Sequence, residues 1–158
     1  MNEQAKKEIL RKIPYGLYVI GVKGGGSYHA FTGSWLSQCS MKPPKVMLGV
    51  RHGTHSLDLI REGKAFAINF LGKGDIKVLE QFFKATPADG NRFGDLEFSL
   101  KKTGTPILEK AVSYLECTVQ DIFEVGDHSI VIGEVVEAET LKADPTLVMG
   151  DTPWHYGG

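Results

Sequence analysis

The chain has 158 residues, of which 42% are hydrophobic and 23% charged, so it can bury one ordinary globular core. A formal net charge of −1 gives no basic excess, which argues against a nucleic-acid-binding protein. No apolar run reaches the roughly 18 residues that span a bilayer, and residues 1–12 lack the apolar core of a signal peptide. We therefore expect one domain over 1–158, located in the cytoplasm, with neither nucleic acid nor a membrane as partner.

Taken along the chain, apolar periodicity and turn residues predict a protein built mainly from strands. Residues 3–12 form an amphipathic helix that Pro14 ends. The glycines of 23–27 suit the tip of a hairpin, and Pro43-Pro44 separates the second strand from the third. Strands are predicted at 16–22, 28–40, 45–50, 64–72, 113–125, 127–141 and, as a last short one, 146–150.

Two further helices are predicted between the strands. Ser56 is the expected N-cap of a helix that ends at Gly63, and Asp75 is the expected cap of a helix over 76–84, before a polar loop at 85–95. No βαβ alternation is present, which disfavours a Rossmann domain. Strands at short spacing, joined by glycine turns and small helices, predict a mainly β protein with an antiparallel barrel.

Several kinds of catalytic or metal site have little support. Cys39 and Cys117 show no CxxC or zinc spacing, and each is most simply a small buried apolar residue of a strand. His52 and His55 are three apart in a loop without a suitable third ligand, so they do not predict a metal site. No nucleophile motif of a hydrolase occurs.

Residues 51–56, with the sequence RHGTHS, have the composition of an anion-binding turn. Arg51 can form a bidentate contact to a phosphate, Thr54 and Ser56 supply hydroxyls, and Gly53 allows close approach of the backbone. The helix that follows would direct its free N–H groups to the same point. An exposed capped turn is the alternative. The glycines of KGGGS lack phosphate-loop spacing and precede a strand, so they indicate a hairpin.

Two other segments leave two interpretations open. In FTGSW, Gly33 lies within a predicted strand, which marks either close approach of a ligand to the backbone or a bend beside a packed Trp35. His128 follows a turn at the start of a strand. It is either an exposed turn residue or a hydrogen-bond donor to the pyrophosphate or nicotinamide of a reductant.

Taken together, four segments resemble the flavin reductase-like FMN-binding domain family. They are IPYGLYVIGV, the long run from FTGSW to AINFL, the pair RF, and the run from GTPILEK to HSIVIGEV. The resemblance covers about residues 14–137, and its most specific parts are T-x-S-W before S-x-x-P-P, R-x-x-T-x-S, and G-D-H-x-x-x-x-G-x-V. It implies an FMN-binding split β-barrel, antiparallel and of Greek-key type.

The resemblance also implies roles for particular residues. The isoalloxazine ring and ribityl chain would lie along Thr32, Gly33, Ser34 and Trp35, with the Ser40 hydroxyl nearby. The FMN phosphate would be held by the turn Arg51, His52, Gly53, Thr54 and Ser56. Asn69 would lie near the cofactor, and Arg92-Phe93 by the flavin or a dimer partner. His128 would take the position associated with nicotinamide binding. The tail DTPWHYGG does not look general to the family, so Trp154, His155 and Tyr156 would either cover a neighbouring site or pack on the barrel.

The resemblance implies that the chain would be a homodimeric oxidoreductase that passes hydride from NADH or NADPH to FMN, with flavin sites near the subunit interface. A monooxygenase component would be its partner. Two alternatives stay open: a flavoredoxin-type carrier that exchanges electrons with an iron–sulfur protein, without its own NAD(P)H site, and a non-redox barrel that binds another flat ligand such as haem.

Overall fold

The computed structural model describes residues 1–158 and confirms a mainly antiparallel β fold. The α-helices are α1 (Glu3–Leu10), α2 (His55–Gly63) and α3 (Ile76–Glu80), and short 3-10 helices cover Lys73–Asp75 and Met149–Asp151. The strands are β1 (Tyr18–Gly24), β2 (Ser27–Gly33), β3 (Leu36–Met41), β4 (Pro44–Arg51), β5 (Ala65–Phe70), β6 (Thr86–Pro87), β7 (Arg92–Phe93), β8 (Leu96–Leu100), β9 (Pro106–Leu108), β10 (Ser113–Val125) and β11 (His128–Thr140).

Eight of the strands form one sheet in the order β3-β4-β11-β10-β5-β1-β2-β6, and β7-β8-β9 form a small second sheet. Strand β3 is an edge of the large sheet, whereas β2 lies near the opposite edge. Only Ser34 and Trp35 connect these two strands, so the sheet must curl back on itself. The predicted barrel closes at this connection, where Gly49 N donates to Trp35 O over 2.7 Å.

The predicted single strand at 28–40 is therefore wrong in one respect, because it is two strands with different partners. β2 pairs with β1 in the hairpin whose tip is Gly25-Gly26, both at positive φ as expected. After Ser34 and Trp35 the chain leaves β1, and β3 pairs with β4. Hydrophobic alternation reports which face a residue occupies and not which strand it pairs with, so the sequence pattern could not show this break.

Strand β1 separates two hydrophobic cores, because its successive side chains point to opposite faces. Ile20 and Val22 pack in one core with helix α2, whereas Leu17 and Val19 pack in the other with α3 and the small sheet. A strand that is buried on both faces reads as a nearly continuous apolar run, as YVIGV does. The two cores fix β1 and β2 from both sides.

Other predictions need correction. The N-cap of α2 is Thr54 and not Ser56, α3 ends at Glu80, and the loop predicted at 85–95 contains β6 and β7. The short strand predicted at 146–150 is reduced to two isolated bridges, which pair Thr146 with Gly72 and Val148 with Gly16. β6, β7 and the two bridges are only one or two residues long, below the length at which periodicity is informative.

The two cysteines differ in environment. Cys117 is buried in the first core, as predicted. Cys39 is exposed, which corrects the prediction that it is a core residue. It lies on β3, whose outer positions have no sheet beyond them because this strand is an edge. None of the helices has the length and apolarity required to cross a membrane.

Candidate functional site

A cavity of about 500 Å³ opens between the end of β2, the end of β4 and the C-terminal tail, a size typical of small-molecule sites, which run from roughly 300 to 1,000 Å³. It is lined by Leu17, Phe31, Thr32, Gly33, Ser34, Gly49, Val50, Arg51, Thr54, Ser56, Phe83, Met149, Trp154, His155 and Tyr156. Six of these were predicted site residues: Thr32, Gly33, Ser34, Arg51, Thr54 and Ser56. The structure thus brings the segments 32–34 and 51–56 to one cavity, as the family resemblance implied.

The β2 wall is held in place by hydrogen bonds that its own residues make. Thr32 N donates to Phe82 O over 2.7 Å, and Thr32 Oγ1 donates to Leu79 O over 3.0 Å, so the hydroxyl proton of Thr32 is used within the protein. Ser34 is buried and lines the cavity at the end of this wall. Main-chain and side-chain contacts therefore fix the wall before any ligand arrives.

Gly33 is tightly packed, but on the side of the core. A Cβ at Gly33 would lie 2.9 Å from Ile20 Cγ1 and 3.4 Å from Leu48 Cδ1. The side chains that approach Gly33 closely thus belong to the hydrophobic core, although Gly33 also borders the cavity. The glycine on β4 has a similar role, because a Cβ at Gly49 would lie 3.0 Å from Trp35 Cβ.

The turn at 51–56 divides into residues that build it and residues that are free to bind. His52 Nε2 and Ser129 Oγ are 2.8 Å apart, and Gly53 adopts φ +65°, a left-handed conformation that favours glycine. Thr54 Oγ1 donates to Arg51 O over 2.8 Å. His52, Gly53 and Thr54 therefore shape the turn, and His52 and Gly53 do not line the cavity.

Arg51 and Ser56 are the groups of this turn that remain available to a ligand. Arg51 lies at the end of β4 with an exposed side chain that forms no salt bridge with a carboxylate of the chain. Ser56 is buried in the first turn of α2, where the first N–H groups of a helix lack intrahelical partners. A guanidinium, a hydroxyl and free N–H groups at one end of a cavity are a donor set that suits an anion.

The two histidines of the turn, His52 and His55, contact different partners. His52 faces Ser129, whereas the ring of His55 meets that of His29 edge-on at 5.2 Å. Burial, and secondarily the charge of His55, lowers the pKa of His29. No group of three or more His, Cys, Asp or Glu side chains has an arrangement that could hold a metal ion.

The side of the cavity opposite the strands is formed by the C-terminal tail, residues 149–158. The Trp154 ring meets Phe83 edge-on at 4.9 Å, and Tyr156 meets Trp35 at 5.2 Å. Arg11 Nε donates to Gly157 O over 3.4 Å, which ties the end of the tail to α1. Sequence reasoning left the role of these residues open. Two aromatic residues close together in a glycine-rich tail were the one available signal.

His128 does not line the cavity but lies directly behind the tail. It is only 7% exposed, its Nδ1 is 2.7 Å from Asp127 Oδ1, and its Nε2 is 2.8 Å from Tyr156 Oη. The Trp35 ring stacks on it with centroids 4.5 Å apart. The hydrogen bond from His128, with a smaller contribution from Arg51, holds the pKa of the Asp127 carboxyl below its usual value.

The predicted site residues that do not line the cavity are eight: Trp35, Ser40, His52, Gly53, Asn69, Arg92, Phe93 and His128. Ser40 lies on the edge strand β3, and Arg92 is exposed and paired with Glu97 at 2.9 Å. Phe93 is fully buried in the second core, where its ring packs on Phe82 and Phe98. Asn69 is also fully buried. Its amide donates to Val19 O and Pro106 O and accepts from Leu108 N, so its hydrogen bonds hold three strands together.

Comparison with known proteins identifies the family to which the chain belongs. Residues 10–156 match the model of the flavin reductase like domain. The chain belongs to this family. The matched range includes Trp154, His155 and Tyr156, which the resemblance drawn from the sequence had left outside.

Among curated proteins, the chain is 32% identical over 139 residues to Diflavin flavoprotein A 1 of Synechocystis. The alignment covers 87% of this chain but 24% of that protein, so the chain spans about a quarter of the length of the curated relatives it matches. Among solved structures, the NADH:FAD oxidoreductase SgcE6 of Streptomyces globisporus is 25% identical with a TM-score of 0.80, covering 92% of this chain and 86% of its own. BorF, the flavin reductase component of a bacterial two-component tryptophan halogenase, has a TM-score of 0.83 at 24% identity, covers 99% and 98% of the two chains, and shows the shared fold.

Proposed function

We propose that this chain binds FMN in the cavity and acts as an oxidoreductase that reduces the flavin with NADH or NADPH. The observation that carries the proposal is that Arg51, which forms no salt bridge, lies at one end of a cavity whose other walls carry apolar and aromatic side chains, the hydroxyls of Thr32, Ser34 and Ser56, and His155. This is the polarity that a flavin nucleotide presents, with a charged phosphate at one end and a flat ring system at the other. A relative named as a diflavin flavoprotein and a similar structure named as an NADH:FAD oxidoreductase support it.

The residues present fit such a ligand. Arg51 and Ser56, with the N-terminus of α2, would hold the phosphate, and Thr32, Gly33 and Ser34 would lie along the remainder. A bound flavin supplies the chemistry of accepting and passing on electrons. The protein supplies position, and Trp154 and Phe83 reduce the access of water to that side of the cavity.

Comparison of FMN with riboflavin tests the phosphate site, because riboflavin lacks the phosphate. Titration of the chain with each ligand, followed by quenching of flavin fluorescence, gives both affinities. Arg51→Ala should weaken FMN binding by about 1.5–3 kcal/mol, the value of a hydrogen bond to a charged group, and leave riboflavin binding nearly unchanged. Arg61→Ala is the matched control, since Arg61 is paired with Glu124 away from the cavity. Equal losses for both ligands would place the phosphate elsewhere.

The donor, the oligomeric state and the partner are finer parts of the proposal. The resemblance to NADH-using reductases supports NAD(P)H as donor, a homodimer, and a monooxygenase that receives reduced flavin. Stopped-flow mixing of the FMN-loaded chain with NADH and with NADPH identifies the electron donor. Light scattering measures the oligomeric state. Purified protein with a haem spectrum instead of a flavin spectrum would support the non-redox barrel.

A second candidate function has one observation in its favour. The imidazole proposed to position nicotinamide is buried, and both of its nitrogens already lie within hydrogen-bonding distance of Asp127 and Tyr156. A closed nicotinamide position suits an electron carrier that exchanges electrons with an iron–sulfur protein. If neither nicotinamide reduces the bound flavin while a reduced ferredoxin does, the carrier replaces the reductase.

A further inference from the structure

Three side chains form a continuous hydrogen-bonded path from solvent to the cavity. The Asp127 side chain is 84% exposed, the His128 ring is buried, and Tyr156 lines the cavity. The two contacts along this path are 2.7 Å and 2.8 Å. The sequence suggested His128 as a ligand contact, but the structure places Tyr156 between His128 and the cavity.

The exposed carboxylate determines which imidazole nitrogen carries the proton. An ionised carboxylate only accepts hydrogen bonds, so Asp127 requires a proton on His128 Nδ1. In the neutral ring, Nε2 is then an acceptor, and Tyr156 Oη–H must donate to it. The lone pairs of Tyr156 Oη remain for the cavity, and Tyr156 presents a hydrogen-bond acceptor to a ligand.

Protonation of His128 reverses this arrangement. Both ring nitrogens of an imidazolium donate, so Nε2–H would donate to Tyr156 Oη. The hydroxyl proton of Tyr156 is then released from His128 and can be donated into the cavity. One proton is gained at His128 Nε2, no bond to carbon changes, and Tyr156 changes from acceptor to donor.

We propose that Tyr156 contacts the ligand in the cavity, and that His128, held by Asp127, is a positioning residue that sets the direction of the Tyr156 hydrogen bond. The proposal rests on the proposed function for the identity of the ligand as a flavin. N3–H is the only donor of the flavin ring, whereas N1, N5 and both carbonyl oxygens accept. A donor at Tyr156 is therefore the better match for most of the ring edge, and His128 protonation should strengthen binding.

The charged and titratable neighbours of His128 come from several elements. Arg51 stands opposite His128 in the pairing of β4 with β11, Asp127 belongs to the turn before β11, and Tyr156 belongs to the tail. His52 follows Arg51, and its backbone N–H donates to the backbone carbonyl of Asp127 over 3.0 Å. Trp35 covers one face of the ring without a charge. Burial is the main cause that raises the pKa of Tyr156, so its hydroxyl stays protonated at neutral pH.

The first test needs no ligand. Nitrogen-15 NMR of the histidine side chains in the ligand-free chain at pH 8 should show His128 protonated at Nδ1, with its signals assigned by their loss in His128→Asn. Tyr156→Phe should shift the Nε2 resonance, and Asp127→Asn should remove the preference for this tautomer. Tyr15→Phe is the matched control, because Tyr15 also stands beside Trp35 but makes no contact with His128. A ring protonated at Nε2 in the wild-type chain would overturn the proposal.

The second test measures riboflavin affinity between pH 8.5 and 5.5. Riboflavin is used because the phosphate of FMN titrates in the same range, with a second pKa of about 6. Affinity in the wild-type chain and in Tyr15→Phe should rise about two- to tenfold as pH falls, as expected for one added hydrogen bond. Tyr156→Phe should show no rise. A rise of equal size in Tyr156→Phe, or a fall in the wild-type chain, would contradict the proposal.

The two proposals can fail separately. If no flavin binds at any pH while His128 shows the Nδ1–H tautomer and responds to Tyr156→Phe, the flavin assignment is wrong and the hydrogen-bonded path stands. If flavins bind, and FMN binding responds to Arg51→Ala, but Tyr156→Phe leaves the pH profile of riboflavin affinity unchanged, only the role of Tyr156 is wrong.

Discussion

The two sides of the cavity are held by different kinds of interactions. On the strand side, β2 and β4 are bound into the large sheet by ladders of backbone hydrogen bonds with β1, β3 and β11. On the tail side, Trp154 and Tyr156 belong to no strand. Their rings and one side-chain hydrogen bond, Tyr156 to His128, hold them against the barrel.

This difference separates two tasks of a binding site. β2 is covered by a hydrophobic core on both faces and β4 on one face, so these ladders can open only when much of the barrel unfolds, and they keep ligand-binding groups in fixed positions. A tail that is held by a few side chains can open locally at a much smaller free-energy cost. The strand side therefore determines where a ligand binds, and the tail side determines how easily it enters and leaves.

The largest effect is expected from a substitution on the strand side. In Gly49→Val, the added Cβ would lie 3.0 Å from Trp35 Cβ, where β2 turns into β3, and the branched methyl groups would need further space. Overpacking of this kind costs about 1–3 kcal/mol. We expect chemical denaturation to show this loss in the free energy of unfolding, together with loss of FMN binding.

Gly150→Ala is the matched control on the tail side, since a Cβ there meets no atom within 4 Å. Gly150→Ala should leave the free energy of unfolding and the affinity for FMN nearly unchanged. The distinction between the two sides would be wrong if Gly150→Ala destabilised the chain as much as Gly49→Val.

A smaller effect, on ligand exchange instead of folding, is expected from Trp154→Ala. This change removes the edge-on pair with Phe83, and such aromatic pairs contribute about 0.5–1.5 kcal/mol beyond the area they bury. FMN should dissociate roughly two- to tenfold faster, as measured by dilution of the loaded chain. Phe123→Ala, which changes an exposed aromatic residue distant from the cavity, is the control. Unchanged dissociation in Trp154→Ala would show that the tail does not retain the ligand.

The strand side could largely be predicted from sequence, because its signals are local. Apolar runs and alternation placed β1, β4, β5, β10 and β11, and glycine or proline marked the turns between them. Arg51 and Ser56 were predicted from residue types and spacing that carry a chemical meaning at short range, and Thr32 from the family resemblance; all three line the cavity. The sequence could not show that the Thr54 hydroxyl is used within the turn while the Ser56 hydroxyl remains available to a ligand. This difference depends on which hydroxyl donates to Arg51 O.

The tail side could not be predicted, because its position depends on contacts between residues that are distant in sequence. Trp154 is placed by Phe83 and Tyr156 by His128, and no periodic pattern connects these pairs. The same reason explains Asn69. The resemblance implied that Asn69 lies near the cofactor, whereas its partners are the backbones of β1 and β9.

A weaker effect should follow from neutralising the anchor of the tail. Asp151 accepts from Lys73 Nζ over 3.0 Å and from Val148 N over 3.1 Å, and the Lys73 contact is the larger cause that lowers the pKa of the Asp151 carboxyl. A depressed pKa in the folded state means that this stabilisation is complete above the unfolded value of about 3.9 and is lost as pH falls through the folded value.

We therefore expect the NMR signal of the Trp154 indole to shift in acid, below the usual titration range of an aspartate, while the strands stay intact. Asp151→Asn should show the acid form of this signal already at neutral pH. Since the ion pair is solvent-exposed, its effect on the unfolding midpoint should be small. A shift that persists unchanged in Asp151→Asn would assign it to another carboxyl group.

The last prediction is that the Cys117 thiol does not react in the native chain. Burial, and secondarily the charge of Glu116, raises the pKa of the Cys117 thiol to about 12, and the thiolate is the reactive form. An alkylating reagent at pH 8 should therefore label only the exposed Cys39 in the native chain, and both thiols after denaturation. The same single label is expected in Trp154→Ala, because Cys117 packs among strand residues of the first core and away from the tail. Mass spectrometry counts the labels, and labelling of Cys117 in native Trp154→Ala would show that the strand side depends on the tail.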